Sequence, residues 1–191
     1  MTTLSLNLQS IVDLTDDQFY QLCQNNNDLR FERTATGELI ILPPVGGETS
    51  NRNGKLTQQL FNWTDSDGTG IAFDSSGGFK LPNGSDRSPD AAWVTLERWH
   101  TLTPEQKTRF APLCPDFVVE LLSPSDSLKD TQEKMKEYRD NGARLGWLIN
   151  RRSRQVEIYR LGKEVEVIKS PTTLSGEMIL PGFILNLEPI W

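Results

Sequence analysis

A buried β-strand is indicated by the residues Pro115-Asp116-Phe117-Val118-Val119-Glu120-Leu121-Leu122. Apart from Glu120, every position from 117 to 122 is apolar, and such a continuous run is typical of a strand that is covered on both faces. A strand of this kind belongs in the interior of a sheet. The run therefore predicts a core sheet built around residues 116–122, with one carboxylate inside it.

A second segment, Ser88-Pro89-Asp90-Ala91-Ala92-Trp93-Val94, repeats the order of proline, aspartate and apolar residues. Asp90 opens this predicted strand, which covers residues 90–96. A carboxylate in a strand is costly to desolvate unless a positive group faces it. If the two strands are neighbours, Asp90 and Glu120 converge on one point, where a divalent cation would neutralise them.

The rest of the chain predicts helices and hairpins around these strands. Helical spacing and caps indicate helices over 16–23, from 48 to about 63 and from 127 to 141, whereas alternation and turn residues indicate strands at 29–33, 38–42, 70–74, 78–81, 145–150, 155–160 and 164–168. The tail after residue 170 is predicted to be irregular. The pattern is that of an α/β fold, a mixed β-sheet flanked by helices with antiparallel hairpin additions.

Length and composition limit the class of protein. A chain of 191 residues without a long linker predicts a single domain over 1–191, with its core at about 28–170. No apolar stretch approaches a membrane span, the first residues lack a secretory signal, and Cys23 and Cys114 are too few for a disulfide framework, so we expect a soluble cytoplasmic protein without a membrane partner. The net charge of −6 counts against strong nonspecific attraction to nucleic acid, unless a basic groove or a metal offsets it.

The residue types around the two carboxylates favour a particular metal. Oxygen ligands without histidine suit Mg²⁺ or Mn²⁺, and the only histidine, His100, lies in a predicted loop. Zinc is therefore not expected.

Lys134 and Glu48 are candidates for further roles at such a metal. Lys134 lies on the helix after the Glu120 strand, with Tyr138 one turn further on the same face. An ammonium aimed at the site could orient a water or stabilise charge on phosphate oxygens, which suits phosphodiester hydrolysis. Glu48, at the start of the second predicted helix, could hold a metal-bound water.

Each of these residues also has a purely structural interpretation. Asp90 after Pro89 fits a turn at a strand entry, and Asp116 is interpreted in that way and left out of the site. Glu120 could form a structural ion pair with Arg139 or Arg144. Lys134 could be a solvated helix residue, and Glu48 could be an acid that complements the helix dipole.

Taken as an ordered set, these motifs resemble the PD-(D/E)XK nuclease superfamily and, within it, the bacterial putative restriction endonuclease family also called domain of unknown function 820, which is abundant in cyanobacteria. The resemblance runs from the first hairpin to the last meander through Ser88–Asp90, Pro115–Asp126, Lys134–Tyr138 and Gly142–Ile149. It implies a restriction-endonuclease-like fold, with a metal bound by Asp90, Glu120 and the backbone carbonyl of Leu121.

One position departs from the pattern of the superfamily. The signature places a lysine two residues after the glutamate, and here that position is Leu122. The resemblance then makes Lys134 the substitute, because a side chain from a packed helix can end at the same point, with Lys136 as the second choice.

The sequence thus predicts a Mg²⁺- or Mn²⁺-dependent endonuclease that acts on DNA, with catalytic residues Asp90, Glu120, Lys134 and Glu48. A homodimer would suit an enzyme that cuts both strands of a duplex. Two alternatives stay open: a catalytically silent nuclease-fold domain that binds DNA or a protein partner, and a glycoside hydrolase that uses Asp90 and Glu120 as acid and base.

Overall fold

The computed structural model describes residues 4–8, 11–124 and 126–191. The helices of these ranges are α1 (Asp16–Asn25), α2 (Gly47–Asp67), α3 (Leu96–His100), α4 (Pro104–Lys107) and α5 (Leu128–Asp140). Within the described ranges, no helix combines the length and the apolar character that crossing a bilayer requires.

A six-stranded mixed sheet carries the two aspartate-led segments. Its strands are β4 (Gly70–Asp74), β7 (Ala91–Thr95), β8 (Phe117–Leu122), β9 (Leu145–Asn150), β10 (Gln155–Arg160) and β11 (Glu166–Lys169). Their order across the sheet is β11-β10-β9-β8-β7-β4. β8 and β9 run parallel, whereas the other neighbouring pairs are antiparallel.

A five-stranded antiparallel sheet packs beside the first. Its strands are β1 (Leu4–Leu6), β2 (Arg30–Arg33), β3 (Leu39–Leu42), β5 (Phe79–Lys80) and β6 (Asp86–Arg87), in the order β1-β3-β2-β6-β5. The predicted hairpin of residues 29–42 is the β2–β3 pair. A separate two-stranded sheet consists of β12 (Thr173–Ser175) and β13 (Ile184–Asn186).

β8 is buried along its whole length, as its apolar sequence predicts. Side chains alternate between the two faces of a strand. Phe117, Val119 and Leu121 pack in the core that includes α2, whereas Val118 and Leu122 pack in the core that includes α5. Glu120 shares the second face and is therefore directed towards α5.

The capping residues fix α5 close to the predicted bounds. Ser127 is the N-cap, and its hydroxyl accepts a hydrogen bond from the Asp130 amide. Gly142 follows the C-cap with φ +109°, a conformation that glycine adopts at little cost. Between these ends, Met135 and Tyr138 are buried against the sheet.

Two local predictions are wrong, and strand β6 has no counterpart among the predicted elements. The two-residue strand β6 was not predicted, because its residues Asp86 and Arg87 are charged and lack the apolar pattern of a strand. The tail predicted to be irregular contains the β12–β13 hairpin. His100, assigned to a loop, ends the short helix α3, whose N-cap Thr95 accepts from the Arg98 amide.

Candidate functional site

Strand pairing brings Asp90 next to Glu120. β7 and β8 are antiparallel, with Ala91 opposite Val119, so the residue before β7 meets the carboxyl-terminal half of β8. The Asp90 Oδ2 accepts a hydrogen bond of 2.8 Å from the backbone amide of Leu121. The prediction that these two strands are neighbours is therefore confirmed. Both carboxylates line one cleft.

Glu120 is buried and faces a cation. Its Oε1 lies 2.8 Å from Lys134 Nζ and accepts a hydrogen bond of 3.2 Å from the Tyr138 hydroxyl. Burial raises the pKa of Glu120 to about 7, the negative charges of Asp90 and Glu32 act in the same direction, and Lys134 opposes the shift. The carboxyl group therefore titrates near neutral pH.

The partner of Glu120 is not one of the arginines considered from the sequence. Arg139 pairs with Asp140, and Arg144 lies 3.9 Å from Asp116 at the other end of β8. That alternative for Glu120 is wrong, since the helix lysine reaches the carboxylate instead.

Lys134 is held between two carboxylates. In addition to Glu120, its Nζ contacts Glu32 Oε1 at 2.7 Å, and only 15% of the side chain is exposed. The interpretation of Lys134 as a solvated residue is therefore wrong. Lys136 is 45% exposed and pairs with Glu133. Of the two lysines, Lys134 is the one that reaches Glu120.

Glu32 on β2 is a member of the site that the sequence did not indicate. Its side chain is 2% exposed and accepts hydrogen bonds from Arg87 Nη1 at 3.1 Å and from the Ser88 amide at 3.0 Å. Burial alone would raise the pKa of Glu32, but Lys134 and Arg87 hold it below its usual value. Its strand, Arg30–Arg33, lacks the continuous apolar run that identified Glu120, so the local sequence carries no comparable signal.

Negative charge exceeds positive charge in this buried network. Arg87 also contacts Glu137 Oε2 at 2.6 Å. Three carboxylates, those of Glu32, Glu120 and Glu137, contact the two cations Lys134 and Arg87, and the Asp90 carboxylate lies beside them with hydrogen bonds from the Leu121 amide and Asn53. The acidic groups thus outnumber the cations by two. Unbalanced charge is unfavourable where water is scarce. One divalent cation would supply the missing charge.

Asn53 on α2 is a second residue that the sequence did not indicate. Its Nδ2 donates a hydrogen bond of 3.0 Å to Asp90 Oδ1. Its own Oδ1 is buried and has no hydrogen-bond partner in the described part of the chain. A buried amide oxygen without a donor is costly. Beside Asp90, this oxygen is an additional hard donor that fits a site for a metal ion or its water.

The donor set fits Mg²⁺ or Mn²⁺. Residues 4–8, 11–124 and 126–191 contain no group of three or more His, Cys, Asp or Glu side chains placed to hold a metal by themselves. Mg²⁺ is usually held by one or two carboxylates together with waters and substrate phosphates. Asp90 and Glu120 provide that number of carboxylates, and both are hard oxygen ligands.

Comparison with known proteins identifies the family of the chain. A model of the Uma2 family, described as "Putative restriction endonuclease", matches residues 16–188. The chain belongs to the Uma2 family. A crystal structure of a putative nuclease from Anabaena variabilis, assigned to domain of unknown function 820, is similar to it with a TM-score of 0.76 and 19% sequence identity, over 93% of this chain and 97% of that one. At this identity the similarity shows the fold. No curated protein matches the chain.

Glu48 of this Uma2 chain is not brought to the carboxylate pair. It lies in the first turn of α2, and its side chain is 82% exposed. Its Oε2 contacts Arg52 at 2.9 Å and Arg151 at 3.8 Å, and it lines a different cavity. Asp116, which the sequence excluded from the site, accepts from the Thr95 amide and pairs with Arg98.

The cleft of the Uma2 chain has a volume of about 630 Å³ and is acidic. Of its described lining residues, eight are acidic and three are basic, the basic ones being Arg30, Arg87 and Lys134. A phosphate group would be repelled from such a surface at neutral pH. A divalent cation would reverse this repulsion locally.

Proposed function

We propose that the chain is a Mg²⁺- or Mn²⁺-dependent endonuclease that hydrolyses phosphodiester bonds of DNA. The proposal rests on one observation: Asp90, Glu120 and Lys134 line the same cleft. Within it, Lys134 Nζ lies 2.8 Å from Glu120 Oε1. Membership of a family described as putative restriction endonucleases supports the same reaction class.

The residues that would hold the metal are Asp90, Glu120 and the backbone carbonyl of Leu121. When bound, the ion supplies a Lewis acid that lowers the pKa of a water and polarises phosphate oxygens. Asp90 is fixed for this role by the Leu121 amide and by Asn53, which bind its two oxygens. Asp90, directly before β7, and Glu120, in β8, would together hold a hard cation.

Lys134 would act on the reacting phosphate or on the attacking water. The Lys134 side chain is largely buried, and its ammonium is held between the carboxylates of Glu120 and Glu32. A positive group that is positioned before the reaction stabilises negative charge as it develops, because little reorganisation is needed. We assign Glu32 to the positioning of this ammonium.

The proposal is tested by incubating supercoiled plasmid with the purified protein and Mg²⁺, Mn²⁺ or EDTA. We expect metal-dependent nicking by the parent and a loss of at least about a hundredfold in Glu120→Gln and Asp90→Asn, in line with the usual contribution of a catalytic group. Asp116→Asn is the control, because it removes a buried carboxylate at the opposite end of β8. Nicking that persists in Glu120→Gln would refute the proposal.

A second candidate is a catalytically silent domain that binds DNA or a protein partner. It is favoured by the contact of Lys134 with Glu32, because an ammonium bound by two carboxylates is less available to substrate. The plasmid experiment separates the two candidates, since a silent domain would leave the plasmid intact with every metal.

We further propose that residues 1–191 act as one domain. The contacts of Lys134 and Arg87 support this, since they join the antiparallel sheet to α5. We propose in addition that the chain forms a homodimer, which would place two sites on one duplex. Sedimentation equilibrium tests this.

We also propose the cytoplasm as the compartment of the protein. Cys23 and Cys114 carry free thiols, which suit a reducing environment.

A further inference from the structure

Three arginines form a cluster beside the carboxylate site. Arg52 lies on α2, whereas Arg151 and Arg154 lie in the turn between β9 and β10. Glu48 links two of them, since its Oε2 is 2.9 Å from Arg52 and 3.8 Å from Arg151. We call Arg52, Arg151 and Arg154 the arginine cluster.

Trp191 holds two members of the arginine cluster in place. The Arg154 guanidinium lies over the indole ring, 5.3 Å from its centroid, and Arg52 Nε donates to the Trp191 carbonyl at 3.4 Å. The indole N–H in turn donates to the Pro171 carbonyl at 3.0 Å. Because these contacts already restrain the side chains of Arg52 and Arg154, ligand binding would cost less conformational entropy.

The turn itself is fixed by hydrogen bonds. Asn150 Oδ1 accepts from the amides of Arg152 and Ser153 at 3.1 and 3.4 Å, and the Arg154 carbonyl accepts from the Ser170 amide at 2.6 Å. Arg154 has φ +50°, which is unusual for a residue other than glycine. These contacts fix the main chain from which Arg151 and Arg154 project.

Positive charge is concentrated here in a protein of net charge −6. The cluster contains three guanidinium groups, and two of them, those of Arg52 and Arg151, contact the Glu48 carboxylate. Burial and the neighbouring charge of Arg52 lower the pKa of Arg151, so the like charges are close enough to disfavour one another. An anion bound between them would relieve this repulsion.

The arginine cluster and the carboxylate pair lie at the same end of the parallel strands β8 and β9. Arg151 directly follows Asn150, which lies beside Leu122, two residues after Glu120. Arg52 directly precedes Asn53, whose Nδ2 donates to Asp90. The cluster is therefore connected to both carboxylates through adjacent residues of α2 and β9.

We propose that Arg52, Arg151 and Arg154 bind backbone phosphates of the nucleic acid next to the phosphate that reaches the carboxylate pair. This inference rests on the proposed function, since it takes DNA to be the ligand. Arginine suits the task because its planar guanidinium can donate two hydrogen bonds to one phosphate. The acidic cleft cannot supply this attraction by itself, so the cluster provides the contacts that it lacks.

Binding of a short fluorescein-labelled DNA duplex, measured by anisotropy in EDTA and again with Ca²⁺, tests the inference without cleavage. Each of Arg52→Gln, Arg151→Gln and Arg154→Gln should weaken binding by roughly five- to tenfold at about 0.1 M salt, and should reduce the slope of log K against log salt by about 0.9. The triple variant should combine these losses.

Arg144→Gln is the matched control, because Arg144 is 46% exposed and directly precedes β9, at the opposite end of that strand from Arg151 and near Asp116. Its affinity should stay within about twofold of the parent, as expected for a residue that makes no phosphate contact. Arg151→Lys keeps the charge and should retain most of the binding, which separates charge from packing. Glu48→Gln removes the acid within the cluster and should tighten binding.

The two proposals fail in different ways. If the triple variant binds with the affinity and salt slope of the parent, or if the parent does not bind DNA, the arginine proposal is refuted. Glu120-dependent nicking together with unchanged binding of the triple variant would leave the nuclease standing without the arginine surface. Arginine-dependent binding without nicking in any metal would leave the surface standing without the nuclease.

Discussion

The Lys134 ammonium lies 2.8 Å from the Glu120 carboxylate, although the two residues come from a helix and a strand that the chain connects through a turn. The contact exists because Glu120 projects from the α5 face of β8 and because Tyr138, one turn after Lys134, packs against the same carboxylate. The relationship makes the ion pair both a feature of the fold and the centre of the proposed chemistry.

Removing the ammonium should damage stability and cleavage together. In Lys134→Met, Glu32 and Glu120 remain buried without their common cation, so we expect the free energy of unfolding to fall by about 3–5 kcal/mol. Urea denaturation measures the change. Lys136→Met on the same helix is exposed and should change stability by less than about 0.5 kcal/mol. Equal stabilities of the two variants would contradict the buried pair.

Replacing Glu32 by glutamine should shift the titration of Glu120 in the metal-free protein. The negative charge of Glu32 raises the pKa of Glu120, so Glu32→Gln should lower that pKa, which NMR of the labelled carboxyl group in EDTA measures. A loss of packing alone would leave the midpoint of the titration unchanged. Glu133→Gln, which lines the same cleft but is solvent-exposed, should also leave the midpoint unchanged.

The stability of the metal-free protein should decrease as the pH rises towards neutrality. Glu120 has a pKa of about 7 in the folded chain and 4.5 as its ordinary value. A carboxyl group with a raised folded pKa favours the folded state in its protonated form, so the contribution present below pH 4.5 is lost as the pH rises through 7. The change from this group is on the order of 3 kcal/mol.

This pH dependence can be measured by urea denaturation at a series of pH values in EDTA. Glu120→Gln should flatten the curve between about pH 5 and 8, the window set by the shifted group. A variant with the same slope as the parent would show that another group titrates in this window.

A divalent metal should stabilise the folded chain against heat. Binding to the folded state alone adds about 2.7 kcal/mol at a hundred times Kd, which raises the melting temperature measured by calorimetry. Asp90→Asn should abolish the effect of Mg²⁺ and Mn²⁺, whereas Asp116→Asn should retain it. Equal metal-induced shifts in the parent and in Asp90→Asn would exclude Asp90 as a ligand.

Two glycines provide a test of the packing that supports the site. A Cβ at Gly70 would lie 2.1 Å from the Trp93 ring, so Gly70→Ala should destabilise the protein by at least about 1–3 kcal/mol. A Cβ at Gly54, in the middle of α2, would meet no described atom within 4 Å apart from the backbone of its own helix. Gly54→Ala should therefore stabilise the protein by about 1 kcal/mol through helix propensity. Thermal denaturation compares the pair.

Local sequence pattern predicted the elements that carry their own signal. The apolar run of β8, the Ser127 cap and Gly142 of α5 each identify an element from a few adjacent residues, and the structure has them near the predicted bounds. The sequence also indicated Asp90, Glu120 and Lys134, because acids at buried strands need a cationic partner.

Long-range contacts explain what the sequence did not indicate. Glu32 and Lys134 are 102 positions apart, and Asn53 and Asp90 are 37 apart. Nothing in the neighbourhood of Glu32 shows which cation it will meet, since that depends on how the antiparallel sheet packs against α5. Glu48 shows the opposite situation, because its place at a helix start gave no information on which way its side chain would point.

The Leu121 amide donates its hydrogen bond to the Asp90 side chain and not to a main-chain carbonyl, directly before β7 begins. The spacing of the two carboxylates is therefore inseparable from the alignment of the strands, because a shift of one residue would turn one of them to the other face. Molecules with an incorrect alignment would not be weakly active but inactive. The specific activity of a preparation should consequently report the fraction of molecules that have reached the native state.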